Sequence, residues 1–209
     1  MARLITASCR LCRREGEKLF LKGTKCNAEK CAFMRREYAP GQHGMVRKKK
    51  LSGYAIQLRE KQKAKRIYGI LEKQFKNYFK KAEKTKGATG EVLLQLLERR
   101  LDNVIYRSCF SASRAGARQL VGHRFVKVNG RKVNIVSYLV KAGDEIALAG
   151  KEEQLKFIRE YSKELEGRGT PDWLEVSFKD LAVKIKRLPV KGDIGLAIEE
   201  NLIVELYSK

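Results

Sequence analysis

The stretch Ser113–Val133, SRAGARQLVGHRFVKVNGRKV, decides how the chain reads. Ser113 can cap a helix, its hydroxyl taking a backbone N–H of the first turn, and Ala115, Ala117, Leu120 and Val121 supply helix formers and an apolar stripe. Arg114 and Arg118 stand one turn apart on the flank of that stripe. Phe125 to Val128 then alternates apolar and basic side chains, Asn129-Gly130 offers the two φ > 0 residues of a tight hairpin, and Arg131-Lys132-Val133 returns. Such a unit gathers Arg114, Arg118, Lys127, Arg131 and Lys132 about a helix–hairpin junction. Fixed cations in that density suit a phosphate backbone. The same pattern also fits an ordinary helix and hairpin with solvated charges.

Working outward, the 209 residues carry 46 Lys and Arg against 24 Asp and Glu, a formal charge of +22, with 43% hydrophobic residues. That apolar share suffices for one or two cored domains and excludes a disordered polycation. The excess sits early: residues 1–100 hold 27 basic and 9 acidic side chains, a net of +18, and residues 101–160 hold 11 and 6, a net of +5. From 161 onward the count is 8 to 9, a net of −1, so the last segment is expected to pack or to meet protein. A self-repelling fold of this kind is expected to face a polyanion. Membrane attachment would be the rival reason, but the sequence has no signal peptide, lipidation motif or long apolar run, and nucleic acid is favoured. P-loop, GxGxxG and GxSxG patterns are missing, and the two histidines, His43 and His123, lie far apart, so no enzyme is expected and no small-molecule substrate.

Helices are predicted from Ser52 or Gly53 to about Ile67, from about Leu71 to Lys84, from Thr89 through Leu101, briefly over 102–106, after Ser113, and over 152–165. The first of these should turn Tyr54, Leu58 and Ile67 inward and a dense Arg/Lys face outward. Phe75, Tyr78 and Phe79 share a helical stripe that reads as core. Val140 to Ala149 reads as strand, bend and strand around Lys141–Asp144, Trp173–Phe178 and Leu181–Arg187 as two further strands, and Leu202–Leu206 as a last strand or short buried segment. The first 45 residues lack a long apolar period and read as an extended arm held by something other than a core.

Four of the five cysteines lie in that arm as Cys9-x2-Cys12-x13-Cys26-x4-Cys31. Paired thiolates at knuckle spacing suit a tetrahedral ion, and a full set of four leaves no open position, so a structural Zn²⁺ is expected at Cys9, Cys12, Cys26 and Cys31. An iron–sulfur cluster uses the same ligands and is the alternative. Cys109 stands alone and reads as a small buried residue. Arg47, Lys48, Lys49 and Lys50 form a basic run that reads as linker or phosphate-binding strip. Lys61, Lys63, Lys65 and Arg66 extend it along the next helix.

In order along the chain come the four-cysteine arm, Pro40-Gly41-Gln42-His43-Gly44, Leu58-Arg59-Glu60-Lys61-Gln62-Lys63, Leu97-Glu98-Arg99-Arg100-Leu101-Asp102-Asn103 and Ser113 to Gly130. Over essentially its whole length the chain resembles the bacterial small ribosomal subunit protein four family. The resemblance implies an α+β protein: after the basic arm over 1–45, a helical domain over 46–92 and 188–209 and an inserted α+β RNA-binding domain over 93–187. Many family members lack some or all of the four cysteines, so the metal site in the arm rests on this chain's own residues. The inserted domain has a small antiparallel sheet and a core motif at about 99–162. It further implies direct binding to a junction in the 5′ domain of small-subunit rRNA, nucleation of assembly, and a cytoplasmic, ribosomal location. Neighbouring small-subunit proteins and mRNA near where it enters the subunit are the other implied partners, with an influence on decoding accuracy; some members also repress translation of their own operon. Within the matched stretches Arg59, His123 and Asn129 join the cations already named as candidate RNA contacts.

Overall fold

The computed structural model describes residues 6–46 and 50–208. It divides into two compact units, one formed by the chain up to Leu93 together with Leu196 onward, the other by Leu94–Gly195. Helix α5 begins in the first and ends in the second.

In the first unit the arm is not extended. Its residues form α1 (Ser8–Glu15), a 3-10 turn (Gly23–Cys26) and α2 (Ala32–Arg35), with Leu19, Cys12, Cys26 and Cys31 buried. Sequence periodicity missed these helices because each is too short to show one. Three longer helices follow: α3 (Gly53–Ile67), α4 (Glu72–Glu83) and α5 (Thr89–Glu98). Ser52 caps α3 by accepting the Ala55 N–H at 3.3 Å. Phe75, Tyr78 and Phe79 are core, as their spacing predicts. Tyr54, expected inward, is exposed; the buried face of α3 starts at Gln57 and includes Lys63, Ala64 and Ile67. The end of the chain is the helix α10 (Glu200–Tyr207), not a strand. Its Ile203 is buried, and Tyr207 stacks on Phe79 and Phe75 with ring centroids 4.5 and 6.3 Å away. Four residues separate these two side chains, so one helical face serves both, and that packing overrides the β-branched character of Ile203-Val204. Gly90 is required where α10 comes close, since a Cβ there would lie 2.6 Å from Glu200 Cγ.

The second unit is α+β. Its helices α6 (Leu101–Arg107), α7 (Arg114–Gly122) and α8 (Glu152–Leu165) accompany a five-stranded antiparallel sheet of order β2-β1-β3-β5-β4, and the short α9 (Lys191–Ile194) follows. The strands are β1 (Val126–Val128), β2 (Arg131–Lys132), β3 (Glu145–Leu148), β4 (Leu174–Ser177) and β5 (Ala182–Ile185). One sheet face buries Val126, Val128, Ile146, Leu148, Val183 and Ile185 in a single core with Leu101, Val104, Ile105, Ala117, Val121 and Trp173. The strand expected to begin at Val140 does not form. Leu139 makes only an isolated bridge to Arg100, because the next residues fold round the buried Asp144 carboxylate, which accepts the Lys141 N–H at 2.7 Å.

Candidate nucleic-acid interface

Ser113 caps α7, its hydroxyl accepting the Gly116 N–H at 3.1 Å. Beyond the helix the chain turns through Arg124, at φ +64°, into β1. Asn129 (φ +49°) and Gly130 (φ +79°) make the hairpin turn, which pairs Lys127 with Lys132 and Val128 with Arg131. Asn129 is largely consumed in holding this turn: its amide donates to Asp144 at 2.9 Å while its carbonyl accepts the Glu145 N–H at 2.9 Å.

The register sorts the charges of the open sheet face. Lys184 on β5 stands opposite Glu145 on one side and Glu175 on the other, so that end of the face balances itself. At the hairpin end Lys127 stands opposite Lys132, with Ala147 as its other neighbour. Like charges directly opposite each other are unfavourable in a sheet. Arg131 and Lys132 are exposed and Lys127 half-buried, and none of the three makes an ion pair among the described residues. The chain around them offers no relief, for residues 103–143 hold eight Lys and Arg and no Asp or Glu. An arrangement that the fold itself disfavours is one that an external anion completes. His123 and Arg124, both exposed at the α7–β1 corner, extend the array. Arg124 is missing from the residues predicted from sequence; its signal is the acid-free stretch, which periodicity does not register.

The two α7 arginines differ from this expectation of projecting cations. Arg118 is only 9% exposed and lies 3.7 Å from Asp102. The same carboxylate takes a bidentate pair from the fully buried Arg100, at 3.0 and 2.8 Å, and the Asn103 N–H at 3.0 Å. Arg114 donates to Asn103 Oδ1 at 2.8 Å and leans on the Tyr106 ring, 4.3 Å from its centroid. Asn103 in turn donates to the buried Glu98, which also accepts two bonds from Arg107 at 2.9 and 2.8 Å. The motif running from Glu98 to Asn103 is thus an internal polar network that fixes α7 against α6.

The basic face of α3 is likewise tied to carboxylates. Glu15, its side chain 2% exposed, accepts from Arg66 and lies 3.5 Å from Arg59. Burial pushes its carboxyl above the usual range, with Arg66 and Arg59 opposing. Lys63 is buried between Glu60 at 2.8 Å and Glu17 at 3.5 Å. Lys61 and Lys65 reach Glu72 at 2.7 and 3.0 Å, where the Tyr207 hydroxyl also donates at 3.0 Å. Burial alone would raise the Glu72 pKa, but those hydrogen bonds hold it down to about 2. Lys50 is exposed, and Arg47, Lys48 and Lys49 lie outside the described residues.

Cys12, Cys26 and Cys31 are buried, Cys9 is half-buried, and none of the four forms a disulfide. Among the described residues no three His, Cys, Asp or Glu side chains are grouped closely enough to hold a metal ion. The donor chemistry nevertheless suits a soft divalent cation. The Lys22 N–H points to Cys26 Sγ at 3.3 Å, and burial pushes the Cys12 thiol up, with Cys26, Cys9 and Cys31 adding to the rise. Thiolates so placed need a neighbouring positive charge. Cys109 is fully buried, as expected of an isolated cysteine.

A helical domain carrying an inserted α+β domain, with unbalanced cations on the insert's hairpin, is an arrangement suited to a nucleic-acid-binding protein. Residues 3–98 match the family described as ribosomal protein S4/S9 N-terminal domain, and residues 99–146 match the S4 domain. The chain is 58% identical over 209 residues to proteins of Thermodesulfovibrio yellowstonii and Acetivibrio thermocellus, and 52% identical to one of Natranaerobius thermophilus. All three are named small ribosomal subunit protein uS4, and each alignment covers the whole of both chains. The chain belongs to the uS4 family of small-subunit ribosomal proteins, which are components of the cytoplasmic ribosome and not enzymes. No helix among the described residues is long and apolar enough to cross a membrane.

Proposed function

We propose that this protein binds small-subunit rRNA directly at a multi-helix junction of the 5′ domain and thereby nucleates assembly. The observation that carries this reading is the uncompensated Lys127–Lys132 pair in a stretch of chain without a single carboxylate. A folded junction packs phosphates densely, and rigidly held cations bridge strands that otherwise repel. Phosphate contacts give affinity, while a fixed hairpin and helix end select the shape of the junction. Log affinity falls by roughly 0.7 to 0.9 per phosphate contact for each tenfold rise in salt. Titration of a 5′-domain rRNA fragment tests the reading. Salt-dependent binding that prefers the junction to a duplex of equal length supports it, and equal binding to both refutes it.

On the same reading the protein meets neighbouring small-subunit proteins and mRNA where it enters the subunit, and so influences decoding accuracy. The near-balanced charge from residue 161 onward suits protein contacts better than RNA contacts. Repression of its own operon is a further use of the same RNA-binding surface.

We also propose that Cys9, Cys12, Cys26 and Cys31 hold a structural zinc ion that ties down the arm. The support is a paired-thiol spacing together with three thiols buried in a segment with little other core. When bound, the ion stabilises four thiolates and supplies folding energy without an open position for chemistry. Elemental analysis should give one zinc per chain and a colourless protein. Visible absorbance with bound iron would identify a cluster instead, and metal-free protein of undiminished thermal stability would refute the site.

A further inference from the structure

An open groove of about 480 Å³ runs between α7 and α8. Its aromatic lining includes Phe125, Phe157 and Tyr161, its polar groups include Gln119 and His123, and no carboxylate lines it. Phe157 is 68% exposed, yet its ring lies parallel to that of Tyr161, with centroids 6.2 Å apart and 7° between planes. Neither ring belongs to the line of Ile158, Ser162 and Leu165 that α8 buries. The pair therefore offers a flat apolar face that the helix does not need for its own packing. Phe125 forms the opposite side, its ring fitting against Gly150, where a Cβ would come within 2.9 Å of it.

What the groove accepts follows from where it leads. By strand alternation Phe125 and Lys127 share one side of the sheet, and Lys127 stands opposite Lys132. His123 lines the groove and Arg124 is next in the chain. One wall thus continues directly into the cationic hairpin, and both come from the acid-free stretch 103–143. A polyanion bearing flat rings satisfies the aromatic wall and the hairpin cations together. Glu153 and Glu160, exposed one turn either side of Phe157, keep its phosphates to the hairpin side. A protein segment would satisfy the aromatic wall but leave the cations unmatched.

We propose that this groove holds an unpaired RNA base, stacked on the Phe157–Tyr161 pair, with its flanking phosphates on the hairpin cations. Gln119 and His123 can then meet the polar edge of the base, because recognition of unstacked bases combines stacking with hydrogen bonding at that edge. The site rests on the rRNA-binding reading and deepens it, since it makes one unpaired nucleotide part of what the protein selects.

Stacking and phosphate contacts separate by salt. The full-length protein is titrated with a 5′-domain rRNA fragment at several salt concentrations. Phe157→Ala should weaken binding about tenfold with the salt slope unchanged, and Phe157→Tyr should restore it, as expected when one base stacks on one ring. Chemical probing should show one loop or bulge base protected by the wild type and released by Phe157→Ala. Because Phe157 is mostly exposed, circular dichroism of the variant should match the wild type. If Phe157→Ala binds RNA as the wild type does, the base site is overturned and the phosphate reading stands. If that variant binds RNA normally but enters reconstituted subunits poorly, the groove takes a protein and the base site is again overturned. Failure of the wild type to bind the fragment would instead overturn the rRNA reading beneath it.

Discussion

Helix α3 and the β1–β2 hairpin are both rich in lysine and arginine, and their cations do opposite work. On α3 the charges meet Glu15, Glu17, Glu60 and Glu72, so they hold α1, α4 and α10 around the helix. On the hairpin Lys127, Arg131 and Lys132 meet no carboxylate among the described residues, and two of them oppose each other. The difference lies in the acids, not the bases. A basic run is left open to an external anion where the surrounding sequence withholds partners, and becomes a set of internal ties where it supplies them. Arg100 and Arg118, converging on Asp102, show the second case at full burial.

The largest effect that would sharpen this contrast is on the buried pair. Asp102→Ala leaves Arg100 and Arg118 without their shared carboxylate, and stability should fall by about 3 to 5 kcal/mol in denaturant unfolding. Arg118→Ala should also lower stability, in contrast to an arginine that only touches RNA; an unchanged midpoint would return Arg118 to the binding surface. Next is the α3 side. Glu72 has a folded pKa of about 2, below its unfolded value, so its contribution is present above pH 4.5 and is lost as pH falls through that window towards 2. Its side chain is 44% exposed, so solvent screening reduces the contribution to about 1 kcal/mol. Glu72→Gln should remove that part of the acid dependence and lower stability at neutral pH; an unchanged acid profile would show that Lys61 and Lys65 are not held there. The smallest effect on folding belongs to the hairpin: Lys127→Ala with Lys132→Ala should leave stability within about 0.5 kcal/mol, or raise it slightly by relieving the like-charge pair.

Much of this was legible beforehand, where a local pattern coincides with its structural cause. The Ser113 cap, the Asn129-Gly130 turn, the full extent of α8 and the aromatic core of α4 all follow from spacing. Two features were not legible because their cause is distant in sequence: the α10 helix depends on Tyr207 reaching Phe75 and Phe79, and the ion pairing of the α3 cations depends on acids from α1 and α4. The loss of a strand at Val140 has a local cause, the Lys141 N–H donating to the Asp144 carboxylate, which apolar alternation does not register. The helices of the arm escaped for a different reason, being too short to repeat an apolar pattern over enough turns to reveal it. Arg124 and the Phe157–Tyr161 face escaped because a position matters there through what is missing around it.

The salt slope of rRNA binding by the Lys127→Ala, Lys132→Ala protein, set against that of Lys61→Ala, is the most direct measurement. Two lost phosphate contacts should lower the slope by about 1.5 for the hairpin variant, while Lys61→Ala should leave it as in the wild type. Equal slopes for the hairpin variant and the wild type, or a drop confined to Lys61→Ala, would place the RNA on the wrong cations and contradict the division of labour between the two regions.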